Sequence, residues 1–126
     1  LSAAEVANRL KRVGVDKVAG FSLNVANFYT TKGEVEFAES VRSELSKLGI
    51  TDSHYVIDIS RNGAGPQDSS CNPPGARLGH APQLFGGGTL DGLLWVKNPG
   101  QTDGPCRGGP EHGFWAPAAL SLLGLG

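Results

Sequence analysis

The chain has 126 residues, of which 39% are hydrophobic, and a formal net charge of −1 from 11 basic and 12 acidic side chains. This length suits one domain with a modest core, and the balanced charge leaves no basic surface of the size that nucleic acid binding requires. No apolar run approaches the ~20 residues of a membrane-spanning helix. We therefore expect neither nucleic acid nor a membrane as a partner.

The first predicted helix covers residues 3–13, where apolar residues recur at helical spacing. Ser2 and Glu5 match a capping box at its start, and Gly14 suits its end. A β-rich segment over residues 17–25 then predicts the first strand.

The second predicted helix has the clearest apolar stripe of the chain. Thr31 and Glu34 match a capping box at its start, and Gly49 ends it. The second strand covers residues 54–60 and is almost continuously apolar, with Asp58 as the exception. Such runs are typical of strands that are buried on both faces of a parallel sheet.

The second half of the chain is dominated by loops. Residues 61–88 contain too many Gly, Pro, Asn and Ser residues for periodic structure, and a loop of this length is usually functional or disordered. A third strand over residues 90–97 places Trp95 in the core, and a short terminal helix has Pro117 in its first turn. The alternation of strands and helices predicts an α/β fold with a parallel sheet and right-handed crossovers.

Polar side chains follow each of the three predicted strands. The carboxyl ends of parallel strands meet at one edge of the sheet, where ligand and catalytic groups collect. We therefore expect one site built from the three loops. Its candidate residues are Asn24 and Asn27 after the first strand, Ser60, Arg61 and Asn62 after the second, and Lys97, Gln101 and Asp103 after the third.

Three sequence blocks contain these residues, GFSLNVANFY, YVIDISRNGAGP and LWVKNPGQTDGPC, and a fourth, CNPPGARLG, lies in the long loop between the second and third of them in chain order. In this order they resemble the second half of the catalytic domain of glycoside hydrolase family 6, the inverting cellulases, and the resemblance covers nearly the whole chain. It implies that residues 1–126 are a single partial catalytic domain. That domain would be the C-terminal portion of a distorted seven-stranded β/α barrel, whose groove holds a β-1,4-glucan such as cellulose or a cello-oligosaccharide.

The resemblance assigns catalytic roles to three charged residues. Asp103 matches the carboxylate proposed as the catalytic base, and Lys97 and Arg61 match cations beside it. Two nearby cations would lower the pKa of Asp103, which keeps it charged but weakens it as a base, so a base and an electrostatic stabiliser both remain open. Without the resemblance, Asp103 reads as a turn residue and the two cations as solvated surface charges.

The resemblance also implies substrate-binding residues. Asn24 and Asn27 match a block that borders the groove, and Lys97 matches a lysine near the sugar. Gln101 stands where the family commonly has Glu, so a sugar contact there would be made by an amide, and Ser70 stands where the family commonly has a Trp for sugar stacking. The alternative for the two Asn residues is that they cap loops.

The predicted function is therefore part of an inverting β-1,4-glucanase, with internal or processive cleavage left open. The family's proton-donating Asp lies upstream, in a motif that this sequence does not contain, so we expect no hydrolysis without the N-terminal half of the same domain. The chain opens with Leu1 and has no Met, from which we also expect that an upstream segment has been removed. The alternatives are a non-catalytic β-glucan-binding remnant and a bare fragment whose first strand exposes an edge.

The resemblance implies a disulfide between Cys71 and Cys106, which would stabilise the fold by about 3–4 kcal/mol and would indicate a secreted parent. Two free buried thiols are the alternative, because two cysteines without a C-x-x-C spacing are weak evidence by themselves. His54, His80 and His112 have no zinc-like spacing with the cysteines. We expect no metal site and no cofactor.

Overall fold

The computed structural model describes residues 1–126 as an α/β arrangement of three α-helices and four strands. None of the helices is both long enough and apolar enough to cross a membrane. The helices are α1 (Ala3–Arg12), α2 (Thr31–Lys47) and α3 (Ala116–Leu122), and the strands are β1 (Gly20–Leu23), β2 (His54–Asp58), β3 (Gln83–Leu84) and β4 (Leu90–Leu94).

The four strands form one mixed sheet in the order β1-β2-β4-β3. The pairs β1–β2 and β2–β4 are parallel, which confirms the predicted parallel sheet, while β3 pairs antiparallel with β4. β2 lies between two parallel neighbours, as its apolar sequence indicates. β1 pairs only with β2, so its outer edge has no partner strand.

The predicted strands are longer than the observed ones. The first was predicted to begin at residue 17, but Val15–Lys17 forms a 3₁₀ turn and β1 starts at Gly20. The third was predicted to reach Lys97, but β4 ends at Leu94. Trp95 is consequently 37% exposed rather than in the core, with its indole N–H donating to the His80 carbonyl at 2.9 Å.

The helix ends follow their capping chemistry. The Ser2 hydroxyl accepts from the Glu5 amide at 3.1 Å, and Gly14 leaves α1 at φ +89°, as predicted. The N-cap of α2, however, is Thr30 rather than Thr31, since the Thr30 hydroxyl accepts from the Gly33 amide at 3.1 Å. Of two adjacent Thr residues, the one with extended backbone is the cap.

The main core lies between the sheet and helices α1 and α2, which pack against each other. Complete burial of each large apolar side chain there contributes roughly 1.5–3 kcal/mol. A smaller cluster of Phe28, Ala76 and Leu122 packs α3 against two loops, so the loop region has an apolar support of its own. The main core consists of Ala7, Val15, Phe21, Ala38, Val41, Leu45, Tyr55, Ile57 and Ile59.

Candidate functional site

Three charged side chains from two loops meet at the carboxyl ends of the parallel strands, because Arg61 follows β2 whereas Lys97 and Asp103 both follow β4. The Arg61 Nη1 lies 2.7 Å from the Asp103 Oδ2, and the Lys97 Nζ lies 3.2 Å from the Asp103 Oδ1. The side chains of Arg61, Lys97 and Asp103 are only 4%, 10% and 12% exposed. The structure thus brings together the three residues to which the resemblance assigned catalytic roles.

The two carboxylate oxygens of Asp103 have different environments. Oδ2 accepts from Arg61 and from the Asn72 backbone amide, both at 2.7 Å. Oδ1 is contacted by Lys97 alone. Because a carboxylate has about four lone-pair sites, Oδ2 is fully used and Oδ1 retains one position for a further proton or hydrogen-bond donor.

The electrostatic environment of Asp103 favours its ionised form. Burial raises the pKa of Asp103, but the hydrogen bonds from Arg61 and from the Asn72 amide, the Arg61 charge and the Lys97 hydrogen bond together hold it below the ordinary value. Two positive groups and one negative group leave the cluster with a formal net charge of +1. The lowered pKa agrees in direction with the expectation from the sequence.

Both cations are fixed by further contacts. The second guanidinium nitrogen of Arg61 donates to the Ala26 carbonyl at 3.0 Å, and the guanidinium carbon lies 4.5 Å from the centre of the buried Phe28 ring. The Lys97 ammonium donates to the Gln101 carbonyl at 2.7 Å. The site is therefore held together before any ligand is bound.

The predicted sugar-binding Asn residues are engaged with nearby backbone. The Asn24 amide donates to the Tyr29 and Asp58 carbonyls at 3.1 and 3.0 Å and accepts from the Tyr29 amide at 3.2 Å. The Asn27 oxygen accepts from the Phe28 amide at 2.9 Å. These contacts favour the loop-capping alternative for Asn24, while a sugar contact by the exposed Asn27 stays a prediction.

Gln101 is exposed and lies in the loop between β4 and α3. Its backbone forms a bridge with Phe114, and it lines a cavity of about 380 Å³ together with Arg61 and Trp115. Most of the other walls are Pro, Ala and Leu side chains. An apolar cavity with a few polar groups is the usual form of a small-ligand site, and this one shares Arg61 with the charged cluster.

Cys71 and Cys106 form a disulfide with a Cα–Cα separation of 6.2 Å, as the resemblance implies. The bridge joins the loop that follows β2 to the loop that carries Asp103. Asn72, beside it, was missed at the sequence level. The Asp103 amide donates to the Asn72 side-chain oxygen at 2.9 Å, and the Asn72 side-chain amide lies within 3.1 Å of the Gly104 and Cys106 carbonyls.

A second missed residue is Asp58 at the end of β2, which is completely buried and accepts only from backbone amides. The sequence itself contained a signal for each of these two residues. Asp58 is the only acidic residue in an apolar strand, and Asn72 stands between a disulfide cysteine and a proline, where an Asn often turns the chain.

Comparison with protein families gives a match to the model described as glycosyl hydrolases family 6 over residues 1–121. Endoglucanase A of Cellulomonas fimi is 41% identical over 116 residues, which cover 91% of this chain and 25% of that protein. Endoglucanase 1 of Streptomyces halstedii is 44% identical over 105 residues, covering 82% of this chain and 32% of that protein. The chain thus spans about a quarter to a third of the length of these relatives.

Among solved structures, the endoglucanase Cel6 of Mycobacterium tuberculosis, in complex with methyl-cellobiosyl-4-deoxy-4-thio-β-D-cellobioside, is 46% identical with a TM-score of 0.85. The match covers 97% of this chain and 42% of that one. A family 6 enzyme of Orpinomyces sp. Y102 is 27% identical with a TM-score of 0.88, covering 98% and 45%. Sequence and backbone geometry therefore point to the same family.

Proposed function

This chain belongs to glycosyl hydrolase family 6, and we propose that it is the C-terminal portion of the catalytic domain of an inverting β-1,4-glucanase. Its substrate would be cellulose or a cello-oligosaccharide. The observation that carries the proposal is the Asp103 carboxylate, ionised and held between Arg61 and Lys97 at the carboxyl ends of the parallel strands. The endoglucanase relatives and the thio-oligosaccharide bound by the Mycobacterium tuberculosis enzyme support the substrate class.

Of the two roles for Asp103, we favour the general base. An electrostatic stabiliser of an oxocarbenium-like transition state needs a negative field, whereas the charge of Asp103 is offset by the two cations in direct contact with it, Arg61 and Lys97. A low pKa weakens a base toward neutral water. The attacking water, however, becomes strongly acidic as its oxygen bonds to the anomeric carbon. Even a carboxylate with a low pKa can then accept its proton. The proton would be accepted at Oδ1, the oxygen with an open position.

The general acid would come from outside this chain. Inverting hydrolysis requires a second carboxyl group ~6.5–9.5 Å from the base, to protonate the leaving oxygen. The family's proton-donating motif is absent from the sequence. The proposed partner is therefore the N-terminal portion of the same domain, which would complete a seven-stranded β/α barrel beside β1, and the isolated chain would be inactive. The Cys71–Cys106 bridge supports an extracellular location, since disulfides persist in oxidising compartments.

The experiment that tests this function is reconstitution. The chain is mixed or co-expressed with the upstream part of the catalytic domain of the Cellulomonas fimi relative, and the release of reducing ends from a soluble cellulose derivative is measured. Neither part alone should hydrolyse the polymer, and the pair should. An Asp103→Asn variant should lower the rate of the pair by about 10²–10⁴-fold, whereas Asp68→Asn, which makes the same charge change on an exposed loop residue, should not.

A second candidate function is a glucan-binding remnant without catalysis, favoured by the lack of the family's acid motif. Sedimentation of the isolated chain with insoluble cellulose tests for binding. If the isolated chain binds cellulose but the reconstituted pair does not hydrolyse it, the non-catalytic binding function would be supported. A pair with no more activity than its upstream part alone, or full activity of the Asp103→Asn pair, would contradict the glucanase role.

A further inference from the structure

Asp58 is a buried carboxylate for which the proposed mechanism has no use. Its side chain is completely shielded from solvent, and none of the ion pairs of the structure includes it. Burying a carboxylate without a cation is unfavourable unless hydrogen bonds satisfy its oxygens. The partners of Asp58 therefore indicate what it does.

Those partners are three backbone amides from three different loops. Oδ1 accepts from the Ser60 amide at 2.8 Å, and Oδ2 accepts from the Ala26 amide at 2.9 Å and the Lys97 amide at 3.1 Å. Ala26 follows β1, Ser60 follows β2 and Lys97 follows β4. Because β2 is flanked by β1 and β4, a side chain at its end is placed to reach the loops after both neighbours.

One contact path leads from Asp58 to Arg61. The Ala26 amide is bound by Asp58, and the Ala26 carbonyl accepts from the Arg61 guanidinium at 3.0 Å. Ala26 has a left-handed backbone, with φ +59°, which is unfavourable for alanine and persists only where the surroundings fix it. Hydrogen bonds at both its amide and its carbonyl supply that constraint.

A second path leads from Asp58 to Lys97. The amide of Lys97 is bound by Asp58, and its ammonium lies 3.2 Å from the Asp103 Oδ1. The Ser60 amide fixes the residue that precedes Arg61. We propose that Asp58 is a positioning residue that sets Arg61 and Lys97 against Asp103 by binding the backbone of the loops that carry or contact them. That this positioning serves glycoside hydrolysis rests on the function proposed above.

The proposal is tested on the full 126-residue chain with ¹³C-labelled aspartate, by following the Asp103 side-chain carbon through a pH titration. Asp58→Asn keeps the shape but turns an NH₂ group toward backbone N–H donors, so the loops should loosen and the two cations should move away from Asp103. The pKa of Asp103 should then rise toward or above its ordinary value. Asp91→Asn is the matched control, because Asp91 contacts His54 at the amino end of β4, and it should leave the Asp103 titration unchanged.

Amide exchange in the unmodified chain keeps the proposal testable if Asp58→Asn does not fold. The amides of Ala26 and Lys97 should exchange at least tenfold more slowly than that of Gly87, which lies in an exposed loop. Exchange as fast as at Gly87, or an unchanged Asp103 pKa in a folded Asp58→Asn chain, would overturn the positioning role. Neither measurement uses a substrate, so a failure of the reconstituted pair to hydrolyse cellulose would count against the proposed function alone.

Discussion

Asn72 and Asp103 bind each other through two hydrogen bonds of opposite direction. The backbone amide of Asn72 donates to the Asp103 carboxylate at 2.7 Å, and the backbone amide of Asp103 donates to the Asn72 side-chain oxygen at 2.9 Å. The pair therefore fixes both the side chain and the backbone of the proposed base. Since Asn72 adjoins Cys71, the disulfide and this pair act on the same loop contact.

The contribution of the Asn72 side chain can be isolated with Asn72→Gly. Glycine preserves the backbone amide and accepts the left-handed φ of +46°, so only the side-chain contacts are lost. The free energy of unfolding should fall by about 1–2 kcal/mol, while the pKa of Asp103 should stay low because the Arg61 contact remains. Urea unfolding measures the loss, with Asn98→Gly at an exposed loop position as the control. Equal stability of Asn72→Gly and the unmodified chain would contradict this account.

Removal of the Asp103 charge should destabilise the fold in a pH-dependent way. Asp103→Asn leaves two nearly buried cations without their anion, and at pH 7 we expect a loss of about 3 kcal/mol. The pKa of Asp103 is lower in the folded chain than its ordinary value of 3.8. Its stabilising contribution is therefore complete above that ordinary value and is lost as the pH falls through the folded pKa.

The measurement is urea unfolding of the unmodified chain and of Asp103→Asn at several pH values between 7 and 2. The difference in unfolding free energy should shrink in the acid range, where the carboxylate of the unmodified chain takes up a proton. Asp68→Asn, at an exposed position, should show little difference at any pH. A difference in unfolding free energy between the unmodified chain and Asp103→Asn that is constant with pH would show that the ion pairs do not contribute to stability.

Arg61→Lys tests whether the shape of the guanidinium matters in addition to its charge. Arg61 uses one nitrogen for Asp103 and another for the Ala26 carbonyl, and a Lys ammonium lacks this planar fork. We expect the pKa of Asp103 to rise toward its ordinary value and the stability to fall by about 1–3 kcal/mol. Arg12→Lys, at an exposed position at the end of α1, is the matched control. An unchanged Asp103 titration would mean that charge alone is sufficient.

Reduction of the disulfide should destabilise the chain by about 4 kcal/mol, the chain-entropy value for a separation of 35 residues. Urea unfolding with and without reductant measures the change, and thiol alkylation followed by intact mass confirms that two cysteines were released. A Cys71→Ser/Cys106→Ser double variant should reproduce the effect and should not respond to reductant. No difference on reduction would indicate that the loops are held by the Asn72 contacts without the bridge.

Tyr55 provides a separate test of the packing around β2. Burial, together with a hydrogen bond to the Glu39 carboxylate and the charge of that group, raises the pKa of Tyr55 to about 12. Since this value lies above that of the unfolded chain, the associated stability is intact below pH 10 and is lost as the pH rises toward 12. An ultraviolet absorbance titration should show one late phenolic ionisation, absent in Tyr55→Phe. A Tyr55 ionisation near pH 10 in the folded chain would contradict this account of its burial and of its contact with Glu39.

The sequence predicted the features that local chemistry determines. Gly14 and Gly49 both take the left-handed backbone that ends a helix, and polar residues after apolar strands marked the edge where Arg61, Lys97 and Asp103 meet. The alternation of strands and helices also predicted the parallel pairing of β1 and β2, which are joined through α2. The connection from β2 to β4 contains no α-helix, but it is long enough for the parallel pairing that is observed.

Features determined by tertiary contact were not predicted. β3 has only two residues, so it has no period to detect, and it forms where Gln83 and Leu84 meet β4. Asn72 lies 31 residues from Asp103 in a segment without periodicity, and only the folded loops bring the two together. The strands were predicted too long because β propensity continues past the last residue that has a pairing partner.

The two edges of the sheet differ in what they can accept. β3 offers two residues, whereas β1 offers four consecutive residues beside an unoccupied flank. An added strand would therefore find the longer run of unpaired backbone groups next to β1, on the side away from β2. Complementation of this chain by a separate polypeptide should consequently begin beside β1, and a peptide bound along that strand should block it.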